Sequence, residues 1–446
     1  MSTNDRPRAL VVGLGTSGVA ASALLARKGY RVTANDRRGS AELAGSLARL
    51  PEGVATRLGS HPTDLLDGTD LVVASPGVPW DLSLLAEARR RGIETIAEEE
   101  LAARSMAGVP MVGVTGSNGK STVTSLLGEI LLAAGRRAGV GGNLGTAASE
   151  LALEGGWEAL VLELSSFQLE GCTTLRPRVA VLLNLSPDHL DRHPDMAGYL
   201  AAKARIFACQ DGSDEAVLNA DDPALAGLEV PSRLSRFSLS DTGAEAHVAA
   251  GMLVVDGEPV VPRSELPLLG DHNVGNALAA ALAARRLGVG RDAIAAGLRS
   301  FKGLPHRHRV VAQDRGVRWV DDSKGTNIGA TAAGLPGYPP GTIHLILGGL
   351  GKGQDFSDLR PATEGKLAAI YLIGEAAEEI GLALEGVAPL ERCGTLDEAV
   401  RRAAARARPG DTVLLSPACA SFDQFKDYAH RGDEFARLAR AAAGAR

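Results

Sequence analysis

One stretch, Met111-Val-Gly-Val-Thr-Gly-Ser-Asn-Gly-Lys-Ser-Thr122, narrows the folds open to this chain more than any other. An apolar run that enters a glycine-rich turn and then Lys-Ser-Thr is how a parallel strand delivers phosphate to a helix N-terminus. The chain is therefore expected to hold an α/β unit with a nucleoside triphosphate site. Gly116 and Gly119 let backbone N–H groups approach the phosphates, Lys120 adds a compact positive charge on the outer ones, and Ser121 offers a hydroxyl to Mg²⁺. Ser117, Asn118 and Thr122 complete the loop. The strict Walker spacing asks for glycine at position 114, where valine stands, so the loop is a shortened variant.

A chain of 446 residues is too long for one core and predicts two to four domains, with three as the working number. Apolar content of 45% and charged content of 22% are ordinary for globular proteins, and a net charge of -6 leaves no basic footprint for nucleic acid. Cys172, Cys209, Cys393 and Cys419 are widely spaced, which argues against a disulfide framework or a cysteine zinc site. The polar Met1 to Arg8 segment has no apolar core of a signal peptide, and no apolar run is long enough to span a bilayer. The expectation is a cytoplasmic protein without membrane insertion.

From Arg8 short apolar runs alternate with amphipathic ones, the rhythm of βαβ units. The turn Gly13-Leu-Gly15-Thr-Ser-Gly18 follows the first strand, and Asp36 follows the second about twenty residues on, as a dinucleotide-binding fingerprint asks. Alone, that turn invites a dehydrogenase reading. A later strand, Asp70 to Ala74, ends in Ser75-Pro-Gly77, either a ligand-lining turn or an ordinary tight one. The first unit ends near Glu98-Glu-Glu100, the phosphate loop opens a second βα series, and Gly303-Leu-Pro305 marks a third. The predicted division is 1–99, 100–304 and 305–446. Asp271-His-Asn-Val-Gly-Asn276 opens an alanine-rich helix for which Asp and Asn are candidate caps.

Several groups should gather at the carboxyl edges of these sheets. Glu163 ends an apolar strand and is suited to holding Mg²⁺ beside the phosphate loop. Asp188 and His189 follow the next strand. Lys203, in Tyr199-Leu-Ala-Ala-Lys203, reads from its pattern as a surface lysine. His306-Arg307, Asp321-Asp322-Ser-Lys324-Gly-Thr326-Asn327, Gly348-Gly-Leu-Gly-Lys352 and Ser416 to Ser421 concentrate hydrogen-bonding groups in one α/β unit, as a binding face would.

In this order, these motifs resemble the murein peptide ligases over essentially the whole chain. The residues that carry the resemblance are Gly116 to Thr122, Gly141-Gly-Asn143, Glu163-Leu-Ser-Ser-Phe-Gln-Leu169, Asp188-His-Leu-Asp-Arg192, Lys203, His272-Asn273 with Asn276, Gly303-Leu-Pro-His-Arg307, Asp322-Ser-Lys324, and Leu414 to Ser421. The resemblance implies three α/β domains: a Rossmann-like one for the UDP end of a nucleotide sugar, a P-loop ATPase-like one, and a Rossmann-like one for an incoming amino acid. Ser17, Asp36, Arg38, Ser75, Pro76 and Gly77 match UDP-side positions, and Asn143, Ser165 and His189 match positions along the rest of that substrate. Asn273, Asn276, Arg307 and Asp322 match nucleotide-side positions of ATP. Ser121 and Glu163 match ligands of one Mg²⁺, and His189 and Lys203 those of a second, with Lys203 carbamylated. Lys120, His189 and Lys203 would be catalytic.

Lys324, Thr326, Lys352, Ser421 and Tyr428 match a D-glutamate pocket. The implied activity joins D-glutamate to UDP-N-acetylmuramoyl-L-alanine with ATP, through an acyl phosphate, in a protein expected to be a monomer. Three positions depart from the family pattern: Gly325 where alanine is usual, Leu350 where aspartate is frequent, and Tyr428 in place of phenylalanine. The rivals are a ligase for another amino acid, a folate polyglutamate ligase, an oxidoreductase and a non-catalytic nucleotide-binding scaffold.

Overall fold

The computed structural model describes residues 6–143, 145–188, 193, 195–268 and 270–444. Its first sheet is wholly parallel and contains β1 (Arg8–Val12), β2 (Arg31–Asp36), β3 (Ala55–Leu58), β4 (Leu71–Ala74) and β5 (Glu94–Ala97), ordered β3-β2-β1-β4-β5. The strand order reverses between β1 and β4, the place where open α/β sheets form a crevice at their carboxyl ends. The two turns expected there do meet: Ser75 Oγ donates to the Gly13 carbonyl at 2.8 Å. Gly18 permits this closeness, since a Cβ on it would collide with that same carbonyl.

The middle sheet contains β6 (Met111–Thr115), β7 (Ala138–Gly142), β8 (Ala159–Glu163), β9 (Val179–Leu182), β10 (Glu215–Asn219), β11 (Arg233–Phe237), β12 (Ala246–Ala249), β13 (Met252–Val255) and β14 (Glu258–Pro262). Their order is β14-β13-β12-β11-β10-β9-β6-β8-β7, with antiparallel pairing only at β12-β13-β14. The central strand β6 is buried throughout and lies between β8 and β9. The phosphate loop therefore leaves the sheet flanked by whatever follows β8 and β9. The helix Asp271–Arg286 packs into the core of this layer, its residues from Asn273 to Ala284 all buried. Its cap is Gly270 at φ 90°, not the expected Asp or Asn side chain; Asp271 lies in the first turn and pairs with Arg263.

The third sheet holds β15 (Arg309–Asp314), β16 (Val317–Asp321), β17 (Ile343–Gly348), β18 (Leu367–Ile373), β19 (Leu390–Gly394) and β20 (Thr412–Leu415), ordered β15-β16-β20-β17-β18-β19. Only β15 runs antiparallel to its neighbour. The result is the three-domain α/β architecture expected from the sequence. No helix among the described residues is long and apolar enough to cross a membrane.

Candidate active site

The loop between β6 and the helix Lys120–Ala133 takes its shape from two glycines in the positive-φ region, Gly116 at 147° and Gly119 at 84°. A side chain at Gly119 would also collide with Asn276 Oδ1. The loop is clamped to the end of β9 by a residue whose role the sequence did not announce. Asn184 Oδ1 accepts from the Asn118 N–H at 2.8 Å, Asn184 Nδ2 donates to the Asn118 carbonyl at 3.0 Å, and the Asn184 carbonyl accepts from the Ser117 N–H at 3.0 Å. These three bonds fix the shape of the turn.

Lys120 Nζ donates to the Gly116 and Ser117 carbonyls, both at 2.8 Å. Desolvation holds this amine below the usual lysine range, against the pull of Glu163 and Asp188. Lys203 is not the surface lysine its pattern suggests: it is 1% exposed and donates to the Gly116 carbonyl at 2.8 Å. The helix Met196–Ala204 places Tyr199 and Lys203 one turn apart on its buried face, with Nζ 4.4 Å from the Tyr199 ring centroid. Burial and then the nearby Lys120 charge push the Lys203 amine well down, with Asp188 and Glu163 opposing.

Glu163 is 2% exposed. One of its oxygens accepts from Asn143 Nδ2 at 2.7 Å, and the other, Oε2, is buried without a hydrogen-bond partner. Such an orphaned carboxylate oxygen beside a phosphate loop fits a hard divalent cation, which needs one or two protein ligands when phosphates supply the rest. No group of three His, Cys, Asp or Glu residues able to hold a metal occurs among the described residues. His189, expected to act in catalysis, metal binding and substrate binding, lies outside the described residues.

The third domain reaches into the loop. Arg307 sits between His306 at φ 59° and His308 at φ 48°, two positive-φ residues that L side chains adopt only under constraint. The constraint is visible: His306 Nδ1 lies 2.7 Å from Asp321 and His308 Nδ1 3.2 Å from Asp322. The turn aims Arg307 Nη2 at Ser121 Oγ, to which it donates at 2.8 Å. A second bridge runs through Asp188, which accepts from Asn327 Nδ2 at 2.9 Å and lies 3.6 Å from Lys352 Nζ.

A cavity of about 540 Å³ lies between the middle and third domains. Ser117, Asn118, Gly119, Lys120 and Thr122 line it with Asn143 and Glu163; Asn273, Asn276, Arg307, Asp322, Lys324, Thr326 and Lys352 line the rest. The predicted phosphate and amino-acid groups thus share one chamber. Gly116, Ser121, Ser165, Lys203, Ser421 and Tyr428 do not line it directly. Ser165 caps the helix Ser166–Glu170 just past Glu163, and Lys324 Nζ lies 3.9 Å from the Tyr428 ring centroid. Burial, and after it the charge of Arg307, pushes the Lys324 amine down to about 8.

Arg431, which no sequence pattern singled out, is fully buried. It donates to the carbonyls of Ser323, Cys419 and Ala420, tying the Lys324 loop to the strand end that carries Ser421. Two departures acquire a physical meaning: a methyl on Gly325 would press within 2.8 Å of Asp322 Oδ2 and Ser416 Oγ, and Tyr428 is the ring beneath Lys324. Leu350 forms an isolated bridge with Ala420.

The remaining group sits apart, at the first sheet's crevice. None of Ser17, Asp36, Arg38, Ser75, Pro76 and Gly77 lines the chamber. Asp36 accepts from the Leu14 N–H at 2.8 Å and the Arg38 backbone N–H at 2.9 Å, and pairs with the Arg38 guanidinium at 2.8 Å. Burial works against its ionisation, but the Arg38 and Leu14 hydrogen bonds outweigh it and hold the carboxyl well below the usual range.

Three family models match in chain order: a Mur ligase MurD-like N-terminal domain at residues 7–97, a Mur ligase middle domain at 114–284 and a Mur ligase glutamate ligase domain at 306–419. The chain is 51% identical over 455 residues to the UDP-N-acetylmuramoylalanine–D-glutamate ligase of Anaeromyxobacter dehalogenans, covering 97% of each chain. It is 46% identical to the enzyme of that name from Myxococcus xanthus, covering 97% of this chain and 98% of the relative. Among solved structures it resembles MurF ligase from Thermotoga maritima in complex with ADP, with a TM-score of 0.64 at 19% identity over 100% of this chain and 99% of that one. It also resembles UDP-N-acetylmuramate-alanine ligase MurC from the same organism, with a TM-score of 0.61 at 17% identity over 98% and 99%.

Proposed function

The chain belongs to the Mur ligase family, and on that premise we propose that it is the ATP-dependent ligase that joins D-glutamate to UDP-N-acetylmuramoyl-L-alanine in peptidoglycan precursor synthesis. The observation that carries this reading is the single chamber in which the phosphate loop faces the basic pair Lys324 and Lys352. A carboxylate is a poor acyl donor. One oxygen of the L-alanyl carboxylate attacks the γ-phosphorus of ATP, ADP leaves, and the acyl phosphate remains. The deprotonated amine of D-glutamate then adds to the acyl carbon, the tetrahedral adduct loses a proton from nitrogen, and phosphate departs with that carboxylate oxygen and can take up the proton.

Each residue has a task in this scheme. The Asn184-clamped loop orients the phosphates, Lys120 supplies positive charge that offsets the negative charge on the γ-phosphate oxygens, and Arg307 brings the third domain's charge to the same place. Asn273, Asn276 and Asp322 bind the rest of ATP. Lys324, Thr326 and Lys352, with Ser421 and Tyr428 behind, hold D-glutamate. Ser17, Asp36, Arg38 and Ser75 to Gly77 hold the UDP end, and Asn143, Ser165 and His189 the rest of that substrate. Closure between the domains would exclude water that hydrolyses an acyl phosphate.

Magnesium, when bound, neutralises charge on the phosphate oxygens; Ser121 and Glu163 would hold one ion, and His189 with a carbamylated Lys203 a second. The orphaned Glu163 oxygen supports the first site. The depressed Lys203 amine supports the modification, because only an unprotonated amine adds to carbon dioxide, releasing a proton as the anionic carbamate forms. Incubation with ¹³C-bicarbonate should give a carbamate carbon resonance that Lys203→Arg removes; no such resonance would refute the modification.

We divide the chain at 1–99, 100–304 and 305–446, and read it as a cytoplasmic monomer, all proposed site residues coming from one chain. A panel of amino acids with UDP-N-acetylmuramoyl-L-alanine in an ADP-coupled assay tests the assignment. D-Glutamate alone should support turnover, and equal turnover with other amino acids would overturn the specificity.

A further inference from the structure

Three consecutive glutamates, Glu98, Glu99 and Glu100, open the helix Glu98–Ser105 and are each no more than 1% exposed. Their helix packs between the first sheet and the middle domain. Glu100 is fully engaged: it pairs with Arg104 at 2.8 Å and accepts from the N–H groups of Thr173, Thr174 and Leu175. Glu98 accepts from the Ser149 N–H at the start of the helix Ala148–Glu154, so it lies in the favourable field of two helix N-termini. Glu99 accepts from Gln168 Nε2 through Oε1, while its Oε2 is buried and receives no N–H or hydroxyl donor, its carboxyl meeting that of Glu98. Of the other charged or titratable neighbours, Arg104 is committed to Glu100 and Glu94, Arg205 to the Leu169 and Cys172 carbonyls, and Cys172 donates to the Gln168 carbonyl. Two adjacent buried carboxyls at such a place cannot both ionise. Burial pushes both up, Glu99 the further because Glu98 adds its charge.

The chain of contacts does not stop at Gln168. With its NH₂ turned to Glu99, its Oε1 faces Ser165 and accepts from both the Ser165 N–H at 2.7 Å and the Ser165 hydroxyl at 2.8 Å. The Gln168 N–H in turn donates to Ser165 Oγ at 3.3 Å. The hydroxyl proton is thereby committed inward, and what remains at half-buried Ser165 is a lone pair.

We propose that Glu99 is a positioning residue for the nucleotide-sugar substrate: sharing one proton with Glu98, it fixes the Gln168 amide so that Ser165 presents only an acceptor and recognises a hydrogen-bond donor, an amide N–H or a sugar hydroxyl. This rests on the reading above that Ser165 meets that substrate. Glu99→Gln keeps an acceptor for Gln168 and a donor for Glu98, whereas Glu99→Leu keeps neither.

The test has two readouts on the full chain. In a difference infrared spectrum of wild type minus E99Q near neutral pH, a protonated-carboxyl C=O band is expected; its absence overturns the shared proton. In steady-state kinetics, E99L should raise KM for UDP-N-acetylmuramoyl-L-alanine on the order of tenfold with KM for ATP little moved, and E99Q should restore it. Equal behaviour of E99L and E99Q, or a parallel rise in both KM values, would show a merely structural role and overturn the proposal. Absence of turnover in wild type would overturn the ligase reading, and the infrared band would then decide the proton alone.

Discussion

At Lys324 a half-buried amine lies over the Tyr428 ring with its pKa lowered to about 8. The cation is present below that value and lost above it, so with Lys324 in the proposed D-glutamate pocket, binding of the carboxylates weakens as pH rises through it. Accordingly kcat/KM for D-glutamate should fall above about pH 8, and Lys324→Arg, whose guanidinium stays charged, should shift that fall upward. Identical alkaline profiles for the two proteins would remove Lys324 from the pocket. Residue types near strand ends made many of these side chains legible in the sequence, because motifs such as Gly-Lys-Ser-Thr and Asp-Ser-Lys have a chemistry of their own. Lys203 was legible only through resemblance, since its burial depends on which face of its helix meets the phosphate loop. Arg431 and Asn184 gave no usable signal: each acts by binding backbone carbonyls or N–H groups that distant segments bring to it.

At the scale of elements, continuous apolar runs make central strands legible: the sequence alone reads as strands at 159–163, 215–219 and 412–415, and Ala159–Glu163, Glu215–Asn219 and Thr412–Leu415 form strands with those bounds. The edge strands β3, β5, β7, β15 and β19 escaped the pattern, as did the short inner strand β12. An edge strand is covered less than a central one and tolerates polar or glycine-rich sequence; β3 is largely exposed, β19 has no buried residue and β7 reads Ala-Gly-Val-Gly-Gly. The helix cap at Gly270 was missed for a similar reason, as glycine caps by backbone conformation alone. The loop between β6 and its helix makes a sharper demand. Gly119→Ala combines a left-handed residue with a collision at Asn276, and at ~1–2 kcal/mol of backbone strain it should weaken ATP binding about tenfold or more. Unchanged ATP affinity by titration calorimetry would mean that the loop relaxes freely.

Across the whole molecule, three sheets carry the candidate site residues at or beyond their carboxyl ends, and the chain's division into three α/β units follows from the βα rhythm interrupted by Glu98 and by Gly303 to Pro305. The contacts between units were not legible: the Arg307 to Ser121 bond joins positions 186 residues apart, and the Asn327 to Asp188 bond positions 139 apart. These bridges bring the third-domain side of the chamber, where we propose that D-glutamate binds, onto the phosphate loop, which is what an enzyme needs if it activates a carboxylate with ATP and then delivers an amine to it. The transfer of an oxygen is the direct trace of that chemistry. With ¹⁸O in the L-alanyl carboxylate of UDP-N-acetylmuramoyl-L-alanine, turnover with ATP and D-glutamate should place one ¹⁸O atom in each inorganic phosphate released. Phosphate free of the label would contradict activation of the carboxylate by phosphoryl transfer, and with it the account of this site.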